Sequence, residues 1–276
     1  MIALTVDASA RLLYRARKLP IMPPPIQLLS TDFDGTLHSD SESPPVPLEL
    51  QKLIGQWQQM GMVWVINTGR DLSSLMEGMA RARLSIQPDY VVVVEREIYQ
   101  HKNHRYEPME SWNRACTARH AELFTRSERL LDELSAWTRK NHDAETYADA
   151  WSPLCVIARD NEEADAIQAG VLKFLQAEPE LIWVRNDIYA RLSHADYNKG
   201  TAMSELGSRV GAGPEGILAA GDHWNDLPML TKSRAAWLVS PSNAIAVVKE
   251  RIAAEGGYQS KATCGHGLLD GLKALF

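Results

Sequence analysis

Short apolar runs alternate with segments of helical spacing over most of the chain. The run at 26–31 has the length of a buried strand, and residues 48–60 repeat apolar positions at helical intervals until Gly61 ends the pattern. A second apolar run at 62–66 is followed by a second helical pattern at 71–82. This order of strand, helix, strand and helix predicts a parallel sheet with right-handed crossovers.

The middle of the chain departs from this alternation. After a third apolar run at 90–94, the stretch at 95–187 is polar and rich in aromatic side chains, with a helical pattern at 162–177 and short strand candidates at 153–158 and 181–185. The alternation then returns, with helices predicted at 199–210, around 226–231 and at 243–253, strands at 216–220 and 235–239, and a closing segment at 265–276. We therefore predict an α/β protein whose Rossmann-like, doubly wound parallel sheet is interrupted by an inserted α+β domain.

These patterns divide the chain into four segments. Residues 26–82 and 188–276 are predicted to form the two parts of the core, and residues 83–187 the inserted domain. Residues 1–25 contain basic side chains, lack an apolar stretch and end in three prolines, so we interpret them as an N-terminal extension. The sequence leaves open whether this extension is a docked helix, a tail, a targeting segment or the product of a start codon upstream of Met22.

Composition and charge exclude several classes of protein. Of the 276 residues, 45% are hydrophobic and 23% are charged, as in a folded domain and unlike a disordered chain. The 29 Lys and Arg against 35 Asp and Glu, a net charge of −6, argue against a nucleic-acid partner. The apolar runs fall short of the roughly 20 residues that a membrane span requires. Three separated cysteines suggest neither a disulfide framework nor a zinc site, so we expect a cytoplasmic protein. The sequence leaves the oligomeric state open.

Polar side chains cluster beyond the predicted strands or at helix starts. Ligands of an open parallel sheet bind beyond the carboxyl ends of its strands, where we expect these residues to converge: Asp32, Asp34, Thr68, Lys199, Asp222 and Asp226. Neighbouring carboxylates repel one another, which makes a purely structural role unfavourable. Carboxylates are ligands that Mg²⁺ prefers, while a lysine, a hydroxyl and backbone N–H groups suit a phosphate. The pattern therefore predicts a site for magnesium and a phosphorylated small molecule.

Four motifs follow one another along the chain. They are Asp32-Phe33-Asp34-Gly35-Thr36-Leu37, Thr68-Gly69-Arg70, Asn198-Lys199-Gly200 and Gly221-Asp222-His223-Trp224-Asn225-Asp226. In this order they resemble the four motifs of the haloacid dehalogenase-like (HAD) superfamily of phosphatases. The long gap between the second and third motifs is where the subfamily with a type 2 cap, which includes Cof-like and sucrose-phosphate phosphatases, carries its α/β cap.

The resemblance implies a role for each residue that matches a motif. Asp32 would be the nucleophile that becomes an aspartyl-phosphate. Asp34 would be the general acid that protonates the leaving alcohol and then the base that activates water. The groups that bind the phosphoryl oxygens would be Thr68, Gly69 and Lys199.

The same resemblance implies Mg²⁺ as the cofactor. It would be held by Asp32, the backbone carbonyl of Asp34 and Asp222, with Asp226 and Asn225 in or just behind that shell. We therefore expect a Mg²⁺-dependent phosphomonoester hydrolase that acts on a small phosphorylated metabolite, such as a sugar or polyol phosphate, with a cap that closes over the site.

Two other activities stay open. A phosphotransferase or phosphomutase would use the same site to return the phosphoryl group to a second hydroxyl. A non-catalytic metabolite sensor would be expected to lack Asp32 or Asp34, and both are present. The segment at 95–97 departs from the Asn-Gly-Ala-like turn that Cof-type relatives often show after the third strand, so the substrates of those relatives are not transferred to this chain.

Further polar residues have both a functional and an ordinary structural interpretation. Arg70 could act in the site or pair with a carboxylate. Arg96 and Arg185 could contact substrate or form surface ion pairs, which contribute little to stability. His223 and Trp224 occupy the variable positions of the last motif, where packing or lining the entrance is the expected role.

Overall fold

The computed structural model describes residues 24–276, so the predicted extension at 1–25 lies outside the described residues apart from its last two. The strands, in chain order, are β1 (Leu28–Thr31), β2 (Val63–Asn67), β3 (Tyr90–Val93), β4 (Glu97–Lys102), β5 (Arg105–Pro108), β6 (Glu145–Tyr147), β7 (Cys155–Ile157), β8 (Leu181–Asn186), β9 (Tyr189–His194), β10 (Ile217–Ala220), β11 (Trp237–Ser240) and β12 (Tyr258–Gln259). The helices are α1 (Leu48–Gln59), α2 (Leu72–Arg81), α3 (Glu110–Arg126), α4 (Glu128–Asn141), α5 (Asn161–Phe174), α6 (Lys199–Val210), α7 (Ala246–Ala254) and α8 (Cys264–Leu275).

The strands form two sheets. The larger sheet has eight strands in the order β12-β11-β10-β1-β2-β3-β4-β5. Its pairs from β12 to β3 are parallel, whereas β4 and β5 are antiparallel and lie at one edge. The smaller sheet has four antiparallel strands in the order β6-β7-β9-β8. This arrangement confirms the predicted α/β class with a parallel-dominated sheet.

Helices cover both faces of the larger sheet. One apolar cluster joins it to α1, α2 and α8 through side chains such as Leu50, Leu75 and Leu268. A second cluster joins the opposite face to α6 and α7 through Met203 and Val248. Because both faces are covered, β1 is buried along its whole length, so polar residues do not alternate with apolar ones along it.

Helices α3, α4 and α5 pack on the smaller sheet, where their apolar side chains form a cluster with Leu192 of β9. Since successive residues of a strand point to opposite faces, the neighbouring Arg191 and Ser193 lie on the face opposite Leu192, where the hydroxyl of Ser193 also contacts His120 of α3. They contact Glu95 and Arg96, which follow β3 of the larger sheet. We call the unit of α3 to β9 the cap and the rest of the described chain the core.

The sheets place the boundaries of the cap differently from the predicted 83–187. Residues 90–108 hold β3, β4 and β5, which all belong to the larger sheet, and β9 at 189–194 belongs to the smaller one. Strands β4 and β5 are polar because they lie at a sheet edge and are only partly buried, so their composition resembles that of the inserted segment. On sheet membership we propose that the cap runs from Glu110 to His194.

A few elements differ from the sequence prediction. Within residues 24–276, the helix predicted around 226–231 is replaced by a single 3₁₀ turn, Trp224–Asp226, because Pro228 follows and cannot supply a helical N–H. Sequence patterns also missed α3, α4, β4, β5, β6, β9 and β12. No helix of this part of the chain is both long enough and apolar enough to cross a membrane. The three cysteines are buried and free.

Candidate active site

Three neighbouring parallel strands bring the first, second and fourth motifs to one edge of the larger sheet. Strand β1 lies between β10 and β2, so Asp32, Asp222 and Thr68 follow adjacent strands. The backbone N–H of Asp32 continues the ladder to β10, and that of Thr68 continues it to β3. All three side chains are buried. The convergence expected of a parallel sheet is therefore present.

The third motif places a lysine at the start of α6. Asn198 caps this helix by accepting hydrogen bonds from two backbone N–H groups of its first turn. Lys199 is fully buried, and its Nζ lies 2.6 Å from Oδ1 of Asp32 and 2.7 Å from Oδ1 of Asp226. The lysine thus joins the first motif to the fourth.

Asp226 orders the loop of the fourth motif. Its Oδ2 accepts hydrogen bonds of 2.8 Å and 2.9 Å from the backbone N–H groups of Asp222 and His223. The side chain of Asp222 accepts a further hydrogen bond of 2.7 Å from the hydroxyl of Thr36. Both oxygens of Asp226 are engaged, one by this loop and one by Lys199, so Asp226 holds these two parts of the site together.

Three buried carboxylates could hold a cation here. Ligand oxygens of Asp32, Asp222 and Asp226 lie within 4.8 Å of one another. Hard oxygen donors of this kind fit Mg²⁺. Gly35 lets the loop approach them, since its φ is +81° and a Cβ there would collide with Oδ2 of Asp222.

Burial and crowded charge shift the ionisation of this cluster. Burial, with help from the neighbouring carboxylates, raises the pKa of Asp32 well above its usual range although Lys199 opposes the shift. Burial and the charge of Asp226 raise the pKa of Asp222 to about 7. Burial disfavours the ammonium of Lys199, but its contacts with Asp226 and Asp32 outweigh this and raise its pKa. The positive charge of Lys199 alone therefore does not balance the negative charge of the three carboxylates. A divalent cation would supply the remaining positive charge.

Asp34, the second aspartate of the first motif, forms a separate pair with Arg70. The guanidinium contacts both carboxylate oxygens, with Nε 2.6 Å from Oδ2 and Nη2 2.7 Å from Oδ1. Burial works against ionisation of Asp34, but contacts with His38 and Arg70 outweigh it and lower the pKa of this carboxyl to about 2. The ion pair that was one interpretation of Arg70 is thus present, and its partner is a motif residue.

The loop of the second motif and Asn225 meet at a carboxylate outside the motifs. Glu95 lies in the turn between β3 and β4, and its Oε1 accepts a hydrogen bond of 3.3 Å from Nδ2 of Asn225. A Cβ on Gly69 would lie 2.7 Å from the same oxygen, so a larger residue at that position would have to displace the carboxylate of Glu95. Arg191 of the cap donates a hydrogen bond of 3.2 Å to the carbonyl of Gly69. A cap side chain therefore reaches the second motif.

A cavity of about 370 Å³ lies beside these residues, between the cap and the core. Lys199, Asn225 and Glu95 line one end of it, and Trp183 of the cap and Trp224 of the core contribute aromatic rings to its walls. Its volume falls within the range of about 300–1,000 Å³ that is typical of small-molecule sites.

The other predicted candidates are engaged by protein groups. Arg185 forms an ion pair with Asp165 within the cap. Arg96 donates a hydrogen bond of 3.0 Å to the hydroxyl of Ser193, which links core to cap. The ring of His223 lies 3.2 Å from a backbone N–H of the turn between β8 and β9, so this residue packs against the cap.

Sequence reasoning missed Thr36, Glu95 and Arg191. Thr36 lies inside the first motif, where a hydroxyl two residues after Asp34 was visible but had no assigned role. Arg191 belongs to a strand and Glu95 to a turn, and no spacing relates residues that lie 96 positions apart. The only sequence feature that pointed to Glu95 was the departure of residues 95–97 from the expected turn.

A doubly wound sheet with two aspartates after its first strand, a buried lysine and an acidic loop after β10 defines the class of HAD-like hydrolases. The chain belongs to the sucrose-6F-phosphate phosphohydrolase family, whose model matches residues 25–275. It is therefore an enzyme of the HAD-like phosphatase class. No curated protein sequence matches the chain significantly.

Solved structures of this class share the fold at low sequence identity. The sucrose-phosphatase of Synechocystis, solved in complex with sucrose and phosphate, is 19% identical with a TM-score of 0.69, over 92% of this chain and 98% of that one. A haloacid dehalogenase-like hydrolase of Bacillus subtilis is 21% identical with a TM-score of 0.60, over 91% and 100% of the two chains. One from Bacteroides thetaiotaomicron is 17% identical with a TM-score of 0.58, over 91% and 100%.

Proposed function

We propose that the protein is a Mg²⁺-dependent phosphomonoester hydrolase that works through an aspartyl-phosphate on Asp32. The observation that carries this proposal is the contact of Lys199 with Asp32 at 2.6 Å, inside a cluster of three buried carboxylates. Such a cluster is costly unless it binds a cation. A lysine that is held against the nucleophile is placed to attract the anionic phosphoryl group.

The first step transfers the phosphoryl group to the enzyme. The carboxylate oxygen of Asp32 that does not contact Lys199 attacks phosphorus, and the bond from phosphorus to the alcohol oxygen breaks. Lys199, the hydroxyl of Thr68 and the backbone N–H of Gly69 hold the phosphoryl oxygens during transfer. Asp34 donates a proton to the departing alcohol, so the product leaves neutral.

The second step releases phosphate. Asp34, now ionised, takes a proton from a water molecule whose oxygen attacks phosphorus. The bond between phosphorus and the Asp32 oxygen breaks, which restores the free carboxylate and yields inorganic phosphate. The proton given away in the first step is thus recovered in the second.

The proton donor requires a local rearrangement. Both oxygens of Asp34 contact Arg70 in this structure, and an ionised carboxylate cannot donate a proton. The acid role therefore requires that Asp34 leave Arg70 when substrate binds. Its 40% exposed side chain has room to do so.

The residues present fit a magnesium ion. It would be held by the carboxylates of Asp32 and Asp222 and by the backbone carbonyl of Asp34, with Asp226 and Asn225 behind this shell. When bound, the ion lowers the repulsion between an anionic nucleophile and a phosphate dianion.

For the substrate we propose a sugar phosphate, with sucrose 6F-phosphate as the first candidate. The family match supports this choice, as does the structure of the Synechocystis relative in complex with sucrose and phosphate. The cavity beside Lys199 also supports it, because Trp183 and Trp224 offer apolar ring faces and the amide of Gln168 offers a polar group suited to hydroxyls.

The test is an assay of phosphate release from sucrose 6F-phosphate, hexose phosphates, polyol phosphates and p-nitrophenyl phosphate. We expect Mg²⁺-dependent turnover that EDTA removes and added Mg²⁺ restores, and none from Asp32→Asn. Full activity of Asp32→Asn, or activity that survives exhaustive EDTA, would contradict the proposal. Phosphorylated product in the presence of excess acceptor alcohol would instead identify a phosphotransferase.

A further inference from the structure

The turn that connects β3 to β4 has an unfavourable backbone for its sequence. The carbonyl of Val93 accepts a hydrogen bond of 3.0 Å from the N–H of Arg96, and the two residues between them have φ of +45° for Val94 and +62° for Glu95. Turns with two left-handed residues favour Asn-Gly. A β-branched valine in that region is strained, and strain of this kind persists only where surrounding contacts enforce it.

Backbone hydrogen bonds from the N–H groups of Val94 and Glu95 to the carbonyls of Arg70 and Thr68 hold this turn, and the carboxylate of Glu95 adds contacts across the cap boundary. Its Oε2 lies 2.6 Å from Nη2 and 3.2 Å from Nε of Arg191, which belongs to β9 of the cap. The side chains of Glu95 and Arg191 are only 6% and 3% exposed. This ion pair is thus buried where the cap meets the core. It consists of two charge-assisted hydrogen bonds from the guanidinium to one carboxylate oxygen.

Each partner also contacts a loop of the active site. Oε1 of Glu95 accepts the hydrogen bond from Asn225, which is next to Asp226 in the fourth motif. Nη2 of Arg191 donates to the carbonyl of Gly69 in the second motif. Two catalytic loops of the core are therefore tied, through one ion pair, to a single strand of the cap.

We propose that Glu95 and Arg191 are positioning residues that hold the Asn225 amide and the Gly69 loop in their working places only while β9 of the cap is seated on the core. This inference rests on the proposed phosphatase function. It explains why the strained turn has no glycine at position 95. A glycine at that position would relax the backbone but would remove the carboxylate.

The alternative is that this ion pair only stabilises the fold. The two roles predict different effects when both partners are replaced. A buried ion pair can often be replaced by apolar groups without loss of stability, whereas removal of one partner strands a charge. If the pair is purely structural, replacing both residues together should leave stability and activity unchanged. If the pair positions the loops, the same double replacement should leave stability unchanged but lower activity.

The experiment uses the full chain with Glu95→Gly and Arg191→Met combined. Glycine relaxes the turn and methionine fills the space of the arginine stem, so neither charge of the buried Glu95–Arg191 pair is left without its partner. We expect a midpoint of thermal unfolding close to that of the wild type. We expect kcat on p-nitrophenyl phosphate to fall about tenfold or more, as when groups that support the ligands of a metal site are removed. Val94→Gly relaxes the same turn but keeps the carboxylate, and it should retain wild-type kcat.

Hydrogen exchange gives a readout that does not depend on turnover. In the double variant we expect faster exchange of the backbone amides at 222–226 and at 69–70, with amides of β1 unchanged. Wild-type kcat together with wild-type exchange in a folded double variant would overturn the positioning role and leave the phosphatase proposal standing. A wild-type protein without activity on any phosphomonoester would overturn the phosphatase proposal, and exchange at 222–226 would still decide whether the pair positions this loop.

Discussion

The ammonium of Lys199 lies 2.6 Å from Oδ1 of Asp32, with both groups buried at the end of β1. Lys199→Met removes this charge and keeps much of the stem volume. Because the carboxylates of Asp32 and Asp226 would then be buried without a cation, we expect a loss of about 3–5 kcal/mol in the free energy of unfolding. We also expect kcat/KM to fall about 10²-fold or more, since a charge aimed at the phosphoryl group is lost.

Thermal unfolding with and without Mg²⁺ checks the first effect. The ion should stabilise Lys199→Met more than it stabilises the wild type, because it replaces the missing positive charge. The exposed Lys273→Met is the matched control and should change stability by no more than about 0.5 kcal/mol. An equal response of Lys199→Met and the wild type to Mg²⁺ would count against the shared cation site.

Asp34→Asn tests the proton donor through the leaving group. A sugar alcohol is a poor leaving group that needs a proton, whereas p-nitrophenolate scarcely needs one. We therefore expect a loss in kcat of about 10²–10⁴-fold on a sugar phosphate and a clearly smaller loss on p-nitrophenyl phosphate. Asp40→Asn, at an exposed carboxylate nearby, is the control. Equal losses on both substrates would refute the acid role.

Thr36 orients one carboxylate of the predicted metal site through its hydroxyl, 2.7 Å from Oδ1 of Asp222. Thr36→Val keeps the shape and removes the hydrogen bond, so we expect the Kd for Mg²⁺ to rise about 10- to 100-fold. Thr36→Ser restores the hydroxyl and should recover most of the affinity. Titration calorimetry with Mg²⁺ measures the three proteins, and unchanged binding by Thr36→Val would show that Asp222 needs no such support.

His120 predicts a dependence of stability on pH. Its Nε2 accepts the backbone N–H of His194 at 3.0 Å, and burial, with the charge of Arg96, lowers the pKa of the ring to about 3. Below a pH of about 6.5, His120 becomes protonated in the unfolded chain but stays neutral in the folded protein. Stability is therefore complete above this pH and falls as the pH drops toward 3. At pH 5 the loss amounts to about 2 kcal/mol.

Urea unfolding of the wild type and His120→Gln at pH 7 and pH 5 measures this term. The variant should lose less stability between the two pH values, by about 2 kcal/mol. His104→Gln, at an exposed position, should behave as the wild type does. The same pH difference in all three proteins would exclude His120 as the source.

The core was predictable because its strands are buried on both faces and its motifs follow strand ends. Strands such as β3 and β10 form apolar runs in the sequence for that reason. Once a parallel sheet is assumed, the convergence of Asp32, Thr68 and Asp222 follows from its geometry. The buried position of Lys199 follows in turn from the start of α6 beside them.

The cap boundary and the contacts across it were not predictable from the same patterns. Strands β4 and β5 are edge strands with polar side chains, so periodicity and composition do not separate them from the cap. The pairs Asp34 with Arg70 and Glu95 with Arg191 depend on side-chain placement between distant segments. A single sequence does not identify the two partners of such a pair.

The chain enters the cap after β5 and leaves it after β9, which makes the cap a single insertion that could in principle be exchanged between relatives. The ion pair of Glu95 with Arg191 limits that exchange. A grafted cap without an arginine at this place would bury the glutamate unpaired, and a core with a glycine turn would do the same to the arginine. Recombination of caps in this lineage is therefore expected to succeed only when the β3–β4 turn travels with the cap.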